Sequence, residues 1–386
     1  MAKIVNSWNE WDPLKRVIVG RPEGTNIPAP EPAWWYDLPE GGYPLGSFGP
    51  FPQEMVDRAN EQMDGFVKMM ETRGIIVDRV VIHPAMLDRR PVSTPDWTQL
   101  NQHGVNNVRD VFLCHGNEIM EATTVRRSRW YEYLNLRPLF EKYFEEDPEF
   151  LHTAAPKPRL TDGSYVKNFY KYYYDVWTDE EKLKRVHNWE HMLTEKEPLW
   201  DAADAARCGK DVFWQCSSVA NRKGLDWLKR YFGSKGIRIH HVLFNNNPHP
   251  WHIDVNWLPL RPGLGVYNPE WHPITEEFKK LMAKNDWELI PAAEPVYVHK
   301  NLCYLIADYN TKSWISMNTF SLGPNTICVE AHETAYCEQL DKLGFEVIPV
   351  PYETVIPLGG ALHCTTLDVY REGTCEDYFP NQIPGY

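Results

Sequence analysis

Hydrophobic and polar positions along the chain recur in one order: a short β-type run, a polar bend, an amphipathic helical pattern and a second β-type run. The runs Arg16–Gly20, Val111–Cys114, Val212–Gln215, Gly263–Tyr267 and Thr326–Glu330 predict strands. Each is followed by a helical pattern, at about 54–73, 127–145, 221–232, 273–284 and 332–343. Four of these helices lead into a glycine or tryptophan and then a strand: Gly74-Ile-Ile-Val-Asp, Gly236-Ile-Arg-Ile-His, Trp287-Glu-Leu-Ile and Gly344-Phe-Glu-Val-Ile. The segment after the second helix breaks this rule. Five units in 386 residues give about 77 residues each, too long for a helical solenoid repeat and right for a strand-strand-helix-strand module. A ring of such modules is a single domain, 1–386, with its site at the axis. An ordinary α/β sheet has the same alternation, and periodicity alone leaves both open.

Two stretches fall outside the repeat. Residues 21–53 are rich in proline and glycine and carry Trp34-Trp35-Tyr36, a composition that predicts a long ordered loop or lid. Residues 155–200, with the tyrosine-rich Tyr170–Tyr174, are also read as irregular. Neither resembles a linker, because aromatic density predicts packing; functional lid and surface cladding both fit.

Composition narrows the function. Apolar residues at 43% and charged residues at 24% are ordinary for a globular chain. The net charge of −13 lacks the basic footprint of a nucleic-acid or anionic-membrane binder and favours a cationic ligand. The first residues show no apolar signal core, and no run approaches the length of a membrane span, so a soluble cytoplasmic protein is expected. Eight cysteines without CxxC spacing argue against a disulfide framework or a zinc knuckle and predict reduced, mostly buried thiols. The 16 Trp, 20 Tyr and 15 Phe suit carbohydrate, cation or protein contact as readily as a heavy core.

Three segments concentrate reactive side chains: Trp200-Asp-Ala-Ala-Asp204, Trp251-His-Ile-Asp254 and Gly359-Gly-Ala-Leu-His-Cys364. Alone, each has a bland reading as a helix cap, a satisfied core histidine or a small buried hydrophobe. If 251–254 is a strand, His252 and Asp254 share one face. The same alternation would turn His363 away from Cys364, so any base for the thiol comes from elsewhere. Gly359 and Gly360 allow close backbone approach around a nucleophile. Metal binding by His249, His252 and Asp254 is disfavoured, since Pro248 and Pro250 exclude the helix that would pair such ligands.

Taken in order, Ser7-Trp-Asn-Glu-Trp-Asp-Pro13, Arg109-Asp110, Gly116-Asn-Glu-Ile-Met-Glu-Ala122, Arg127-Ser-Arg-Trp-Tyr-Glu-Tyr133, Ala155-Pro-Lys-Pro158, Asp201-Ala-Ala-Asp204, His252-Ile-Asp254, Arg261-Pro-Gly263, Ser316-Met-Asn318 and His363-Cys364 resemble the amidinotransferases of the pentein superfamily over essentially the whole chain. The resemblance implies a five-bladed α/β propeller of ββαβ modules around a pseudo-fivefold axis. It implies Cys364 as nucleophile, His252 as general acid/base, Asp201 as the carboxylate that orients it, and Asp110 with Asp254 as the pair that grips a guanidinium. The reaction implied is ping-pong transfer of an amidino group from a guanidine donor to an amine acceptor through S-amidino-cysteine, without a cofactor, in an enzyme for which a homodimer is expected. A guanidine hydrolase and a non-catalytic guanidine binder are the alternatives.

The pattern breaks at two places. Where arginine-using members place an arginine after the Asn-Pro turn, this chain has Trp271, and Thr311-Lys312-Ser313 replaces small hydroxyl residues before Trp314. Either arginine is still the donor and Lys312 or Arg261 receives its carboxylate, or the ligand lacks that group and Trp271 packs on it. Trp251 adds bulk beside the acceptor, which makes glycine a less secure acceptor.

Overall fold

The computed structural model describes residues 3–33, 48–87, 90–244, 246–271, 275–300 and 311–386. Five three-stranded sheets repeat one topology: an antiparallel pair, a helix, and a third strand parallel to the second. The chain's two ends share the first blade. Leu14–Val19 pairs antiparallel with Thr366–Arg371, Val17 opposite Asp368, and parallel with Ile76–Arg79 after the helix Gln53–Thr72. The chain's last strand thus completes its first blade and closes the ring.

The other four blades follow in sequence. They are Phe112–His115, Glu118–Glu121 and Leu151–Ala154; Ala205–Cys208, Asp211–Gln215 and Arg238–Val242; Trp257–Arg261, Leu264–Tyr267 and Glu288–Pro291; and Phe320–Gly323, Thr326–Glu330 and Glu346–Val350. Their helices are Arg137–Glu146, Arg222–Gly233, Glu276–Lys284 and Thr334–Lys342. The third blade's helix shows why the pattern was readable: Asn221 caps the Gly224 N–H, and Leu225, Leu228 and Phe232 are buried along one face.

The second module differs from expectation in two ways. Its helix starts only at Arg137, with Pro138 in the first turn, because 127–129 and 132–135 wind as 3-10 turns that deliver Arg129 and Glu132 to the interior. Its return strand exists after all: Leu151–Ala154 runs parallel to Glu118–Glu121. No glycine precedes that strand, since Asp147 leaves the helix in an extended conformation and its carboxylate accepts the Ile4 and Val5 N–H groups.

The 155–200 stretch is more regular than expected. It holds helices Phe169–Asp175 and Asp179–His187, the latter with a Thr178/Glu181 capping box, and its aromatics bury with Ala33, Trp97 and Val219. Trp34-Trp35-Tyr36 lie outside the described residues, but one flank of that loop is pinned. Buried Glu31 accepts the Arg127 N–H at 2.5 Å and the Ser128 hydroxyl at 2.5 Å. Among the described residues seven cysteines are free, five of them buried, and no helix is long and apolar enough to cross a membrane.

Candidate active site

Each first strand of a blade is preceded by a tight turn at the same end of the ring, and the reactive side chains sit on those turns. Val108–Asp110 carries Asp110; Ala202–Asp204 follows Asp201; Ile253–Val255 lies between His252 and Asn256 and contains Asp254; Trp314–Met317 ends on Asn318; and a turn over Leu362–Thr365 holds Cys364 ahead of Thr366–Arg371. Neighbouring turns touch around the axis. The pseudo-symmetry thus gathers residues far apart in sequence.

Neither reactive pair lies on a strand, as sequence alternation had assumed. His252 is the residue before a 3-10 turn and Cys364 is inside a turn, so side chains predicted to diverge converge instead. His363 Nδ1 lies 2.9 Å from Asp254 Oδ2, and the Cys364 thiol faces the same oxygen at 3.5 Å. Gly359 has φ +116°, and a Cβ on Gly360 would fall 2.5 Å from Cys364 Cβ, so the loop over the sulfur requires glycine.

His252 is 3% exposed, with Nε2 3.4 Å from Asp201 Oδ2 and Nδ1 3.7 Å from Asp110 Oδ1. Burial pushes its pKa down, but Asp110, Asp201 and Asp204 outweigh burial and raise it to about 9, so the ring is an imidazolium at neutral pH. Burial raises the Asp204 carboxyl well above its ordinary range despite His252. Burial and the charges of Asp254 and Asp110 lift the Cys364 thiol well above the usual value, with the Asn318 amide opposing them. Asp254 stays below the carboxylate range because His363 overcomes its burial.

Asp110 Oδ2 receives Arg129 Nη1 at 2.5 Å, and Asp254 Oδ2 faces His363 and Cys364. The second oxygen of each, Asp110 Oδ1 and Asp254 Oδ1, is buried and accepts no hydrogen bond from the described residues. Buried carboxylate oxygens in a folded protein are nearly always bonded. Two such oxygens beside one thiol suit a planar cation with several N–H donors.

A cleft of about 350 Å³ opens on Asp110 and His252, with Trp251, Trp271, Trp314 and Ile315 in its walls and Arg126 and Arg129 in its polar lining; Asp254 and Cys364 are not in its wall, and Cys364 packs against Gly360, which is. Trp251 and Trp271 thus both line the cleft. Arg126, a site residue that no motif in the sequence marks, is buried with its guanidinium 4.7 Å from the Trp251 ring centroid. Lys312 is exposed and does not line the cleft, whereas the residues just after it, Ser313 to Ile315, do. Arg261 ends its strand about 13 Å along from Trp257 and is engaged there by the Leu343 carbonyl at 2.9 Å and the Phe345 ring. It is remote from the cleft. His249, weighed as a metal ligand, lies 2.8 Å from the Tyr173 hydroxyl.

Beneath the site is a buried ionic hub that sequence did not reveal. Arg207 bonds both oxygens of Glu10, at 2.7 and 2.6 Å, and Asp368 at 2.5 Å; Arg109 and Arg371 add bonds to Asp368 at 2.7 and 2.6 Å. His363 links hub to site, lying 3.4 Å from Glu10. Arg109, Arg129 and Asn318 all lay within motifs, and only their residue type hinted at a role.

No family model matches the chain. It is 33% identical over 387 residues to the mitochondrial glycine amidinotransferase of Xenopus laevis, spanning 97% of this chain and 85% of that protein. It is 32% identical over 379 residues to the L-arginine:L-lysine amidinotransferase of Pseudomonas savastanoi pv. phaseolicola, spanning 97% and 96%. Of solved structures, SxtG, an amidinotransferase of the saxitoxin biosynthetic pathway from Microseira wollei, aligns with TM-score 0.81 at 34% identity over 97% and 99% of the two chains. Inosamine-phosphate amidinotransferase StrB1 from Streptomyces griseus gives 0.83 at 29% over 98% and 100%. DDAH from Pseudomonas aeruginosa, at 14% identity and TM-score 0.54 over 92% of this chain and 98% of that one, shares only the pentein fold. Identity above 30% along nearly the whole length settles the assignment: the chain belongs to the amidinotransferase family and is an amidinotransferase.

Proposed function

We propose that the enzyme takes its amidino group from L-arginine, holds it on Cys364, and passes it to an amine. The observation that carries this reading is the pair of open buried oxygens, Asp110 Oδ1 and Asp254 Oδ1, beside the thiol. They accept the guanidinium's N–H groups and hold its carbon toward the sulfur. Burial and the two carboxylates keep the thiol protonated; the bound cation offsets the carboxylates, so the thiol gives its proton to solvent as the donor enters and the thiolate left behind attacks it.

The thiolate forms a C–S bond as the guanidinium C–N bond breaks, and His252, protonated and held by Asp201, gives its proton to the departing amine. The acceptor amine then attacks the S-amidino carbon, loses a proton to His252, and returns the electron pair to sulfur. Water attacking at the same stage would make a urea product. Trp251, Trp271, Trp314 and Ile315 line the cleft with apolar surface that disfavours it.

In this reading the donor's carboxylate lies toward Arg126, in place of Lys312 or Arg261, since Arg126 brings a cation to the cleft wall. A panel of arginine, agmatine, ornithine and simple guanidines against candidate amines, read by mass spectrometry with Cys364→Ala as blank, tests it. Arginine must serve as donor better than agmatine, and a product carrying oxygen in place of the acceptor nitrogen would replace transfer by hydrolysis. The whole chain folds as one domain in this reading, supported by the pairing of its first and last strands in one blade. Cytoplasmic residence is supported by the free thiols, and fractionation of the source cells checks it. The homodimer rests on the family alone; light scattering on the purified protein checks it.

A further inference from the structure

Asn318 has an amide whose orientation its surroundings fix. Its Oδ1 accepts two backbone N–H groups, from His363 at 3.0 Å and Cys364 at 3.1 Å. An N–H can bond only to the oxygen edge, so the NH₂ edge faces the other way, and Nδ2 lies 3.2 Å from Cys364 Sγ. Turning the amide over would lose two buried backbone bonds. The other side of the same loop is equally held: Arg109 donates its N–H to the Cys364 carbonyl at 3.2 Å and its Nε to the His363 carbonyl at 2.8 Å. The sulfur is therefore seated in a frame that leaves its donor contact no freedom. Asn318 is 2% exposed and follows the turn Trp314–Met317, whose first residues line the cleft.

We propose that Asn318 is a catalytic residue of the transfer, donating its Nδ2–H to the Cys364 sulfur at both moments when that sulfur carries negative charge. The first is the thiolate attack on the donor carbon, in which the C–S bond forms and the C–N bond breaks with the amine taking its proton from His252. The second is release to the acceptor, in which the new C–N bond forms, the C–S pair returns to sulfur, and the acceptor's proton passes to His252. The inference rests on Cys364 being the nucleophile, as proposed above.

The groups around the sulfur show why such a donor is needed. Asp254 and Asp110 both disfavour its charge, and Asn318 is the neighbour whose hydrogen bond favours it. His363 is engaged with Asp254 and Glu10, His252 is directed at Asp110 and Asp201, and the Tyr352 hydroxyl bonds Thr365. A neutral amide can stay in place when the guanidinium arrives, where another cation would repel it. Fixed donors aimed at developing charge are an effective device in a site that excludes water.

The test is Asn318→Asp in the full-length enzyme. Aspartate keeps an oxygen for the two backbone N–H groups but turns an acceptor toward sulfur. Alkylation of Cys364 by iodoacetamide is followed across pH, with Cys364→Ala to subtract the other thiols. The expected result is an alkaline displacement of the reactivity midpoint by at least about one unit, tenfold slower labelling below it, and loss of both half-reactions in proportion. Asn318→Ala, which also loosens the loop, is expected to displace the midpoint in the same direction. An unchanged midpoint in both variants, with only thermal stability reduced, would make Asn318 a structural clamp and overturn the proposal. Labelling needs no substrate, so this failure is distinct from failure of Cys364 to become amidinated in the unmodified enzyme.

Discussion

Two clusters of buried charge lie within a few residues of one another and are built on opposite rules. In the hub, the carboxylates of Glu10 and Asp368 are bonded by arginines, and burial, which would raise both, is overcome by Arg207 so that both stay far below the carboxylate range. In the site, Asp110 and Asp254 are each bonded through one oxygen while the other is left open. A satisfied buried network holds blades together, and the incomplete one is where the proposed guanidinium would bind. His363 spans the two, so the scaffold orients Asp254, the carboxylate proposed to receive the donor's guanidinium.

That contrast can be broken experimentally. The largest effect is expected at Cys364→Ala, which should lower transfer by at least about 10⁴-fold while the protein still folds; residual transfer near the unmodified rate would remove the covalent step. Asp254→Asn should lower kcat/KM for the donor by about 10²–10³-fold, the loss of one charged partner of a buried cation. Its melting temperature should fall less than that of Asp368→Asn, because Asp254 has one bonded oxygen and Asp368 has both. For Asp368→Asn a loss of about 3–5 kcal/mol in denaturant unfolding is expected. Equal destabilisation by the two substitutions would erase the distinction between hub and site.

His252 has a folded pKa raised to about 9, so its stabilising contribution is complete below its unfolded value, about 6.5, and is lost as pH rises through 9. Thermal stability should therefore decline across that window, the donor half-reaction should slow above about pH 9 as the general acid is lost, and His252→Gln should flatten the stability decline. The smallest effect is expected at Arg126→Gln, with KM for arginine raised about tenfold and agmatine turnover little changed. Equal changes for both donors would separate Arg126 from the carboxylate.

The fold was legible because strand, helix and strand repeat with their own periodicities, and Gly74, Gly236 and Gly344 mark helix ends by positive φ. The second module hid its third strand because Asp147 does the work of a glycine there. The motif residues Asp110, Asp201, His252, Asp254 and Cys364 were legible as a set. Their local geometry was not, since the turns that carry them have no simple side-chain alternation. The hub was hidden for another reason: Glu10, Arg109, Arg207 and the strand pair Asp368 and Arg371 come from four distant segments, and pairing of charges across the ring leaves no local signature. Lys312 was a reasonable expectation by charge alone, and its exposure follows from lying just outside the turn that faces the cleft.

The most direct test is the mass of the intact protein after incubation with L-arginine and no acceptor. The account predicts a gain of one amidino group, mapped to Cys364, discharged when an acceptor amine is added and absent in Cys364→Ala. A thiol that stays unmodified at saturating donor, while transfer proceeds with both substrates present, would contradict a covalent relay through Cys364.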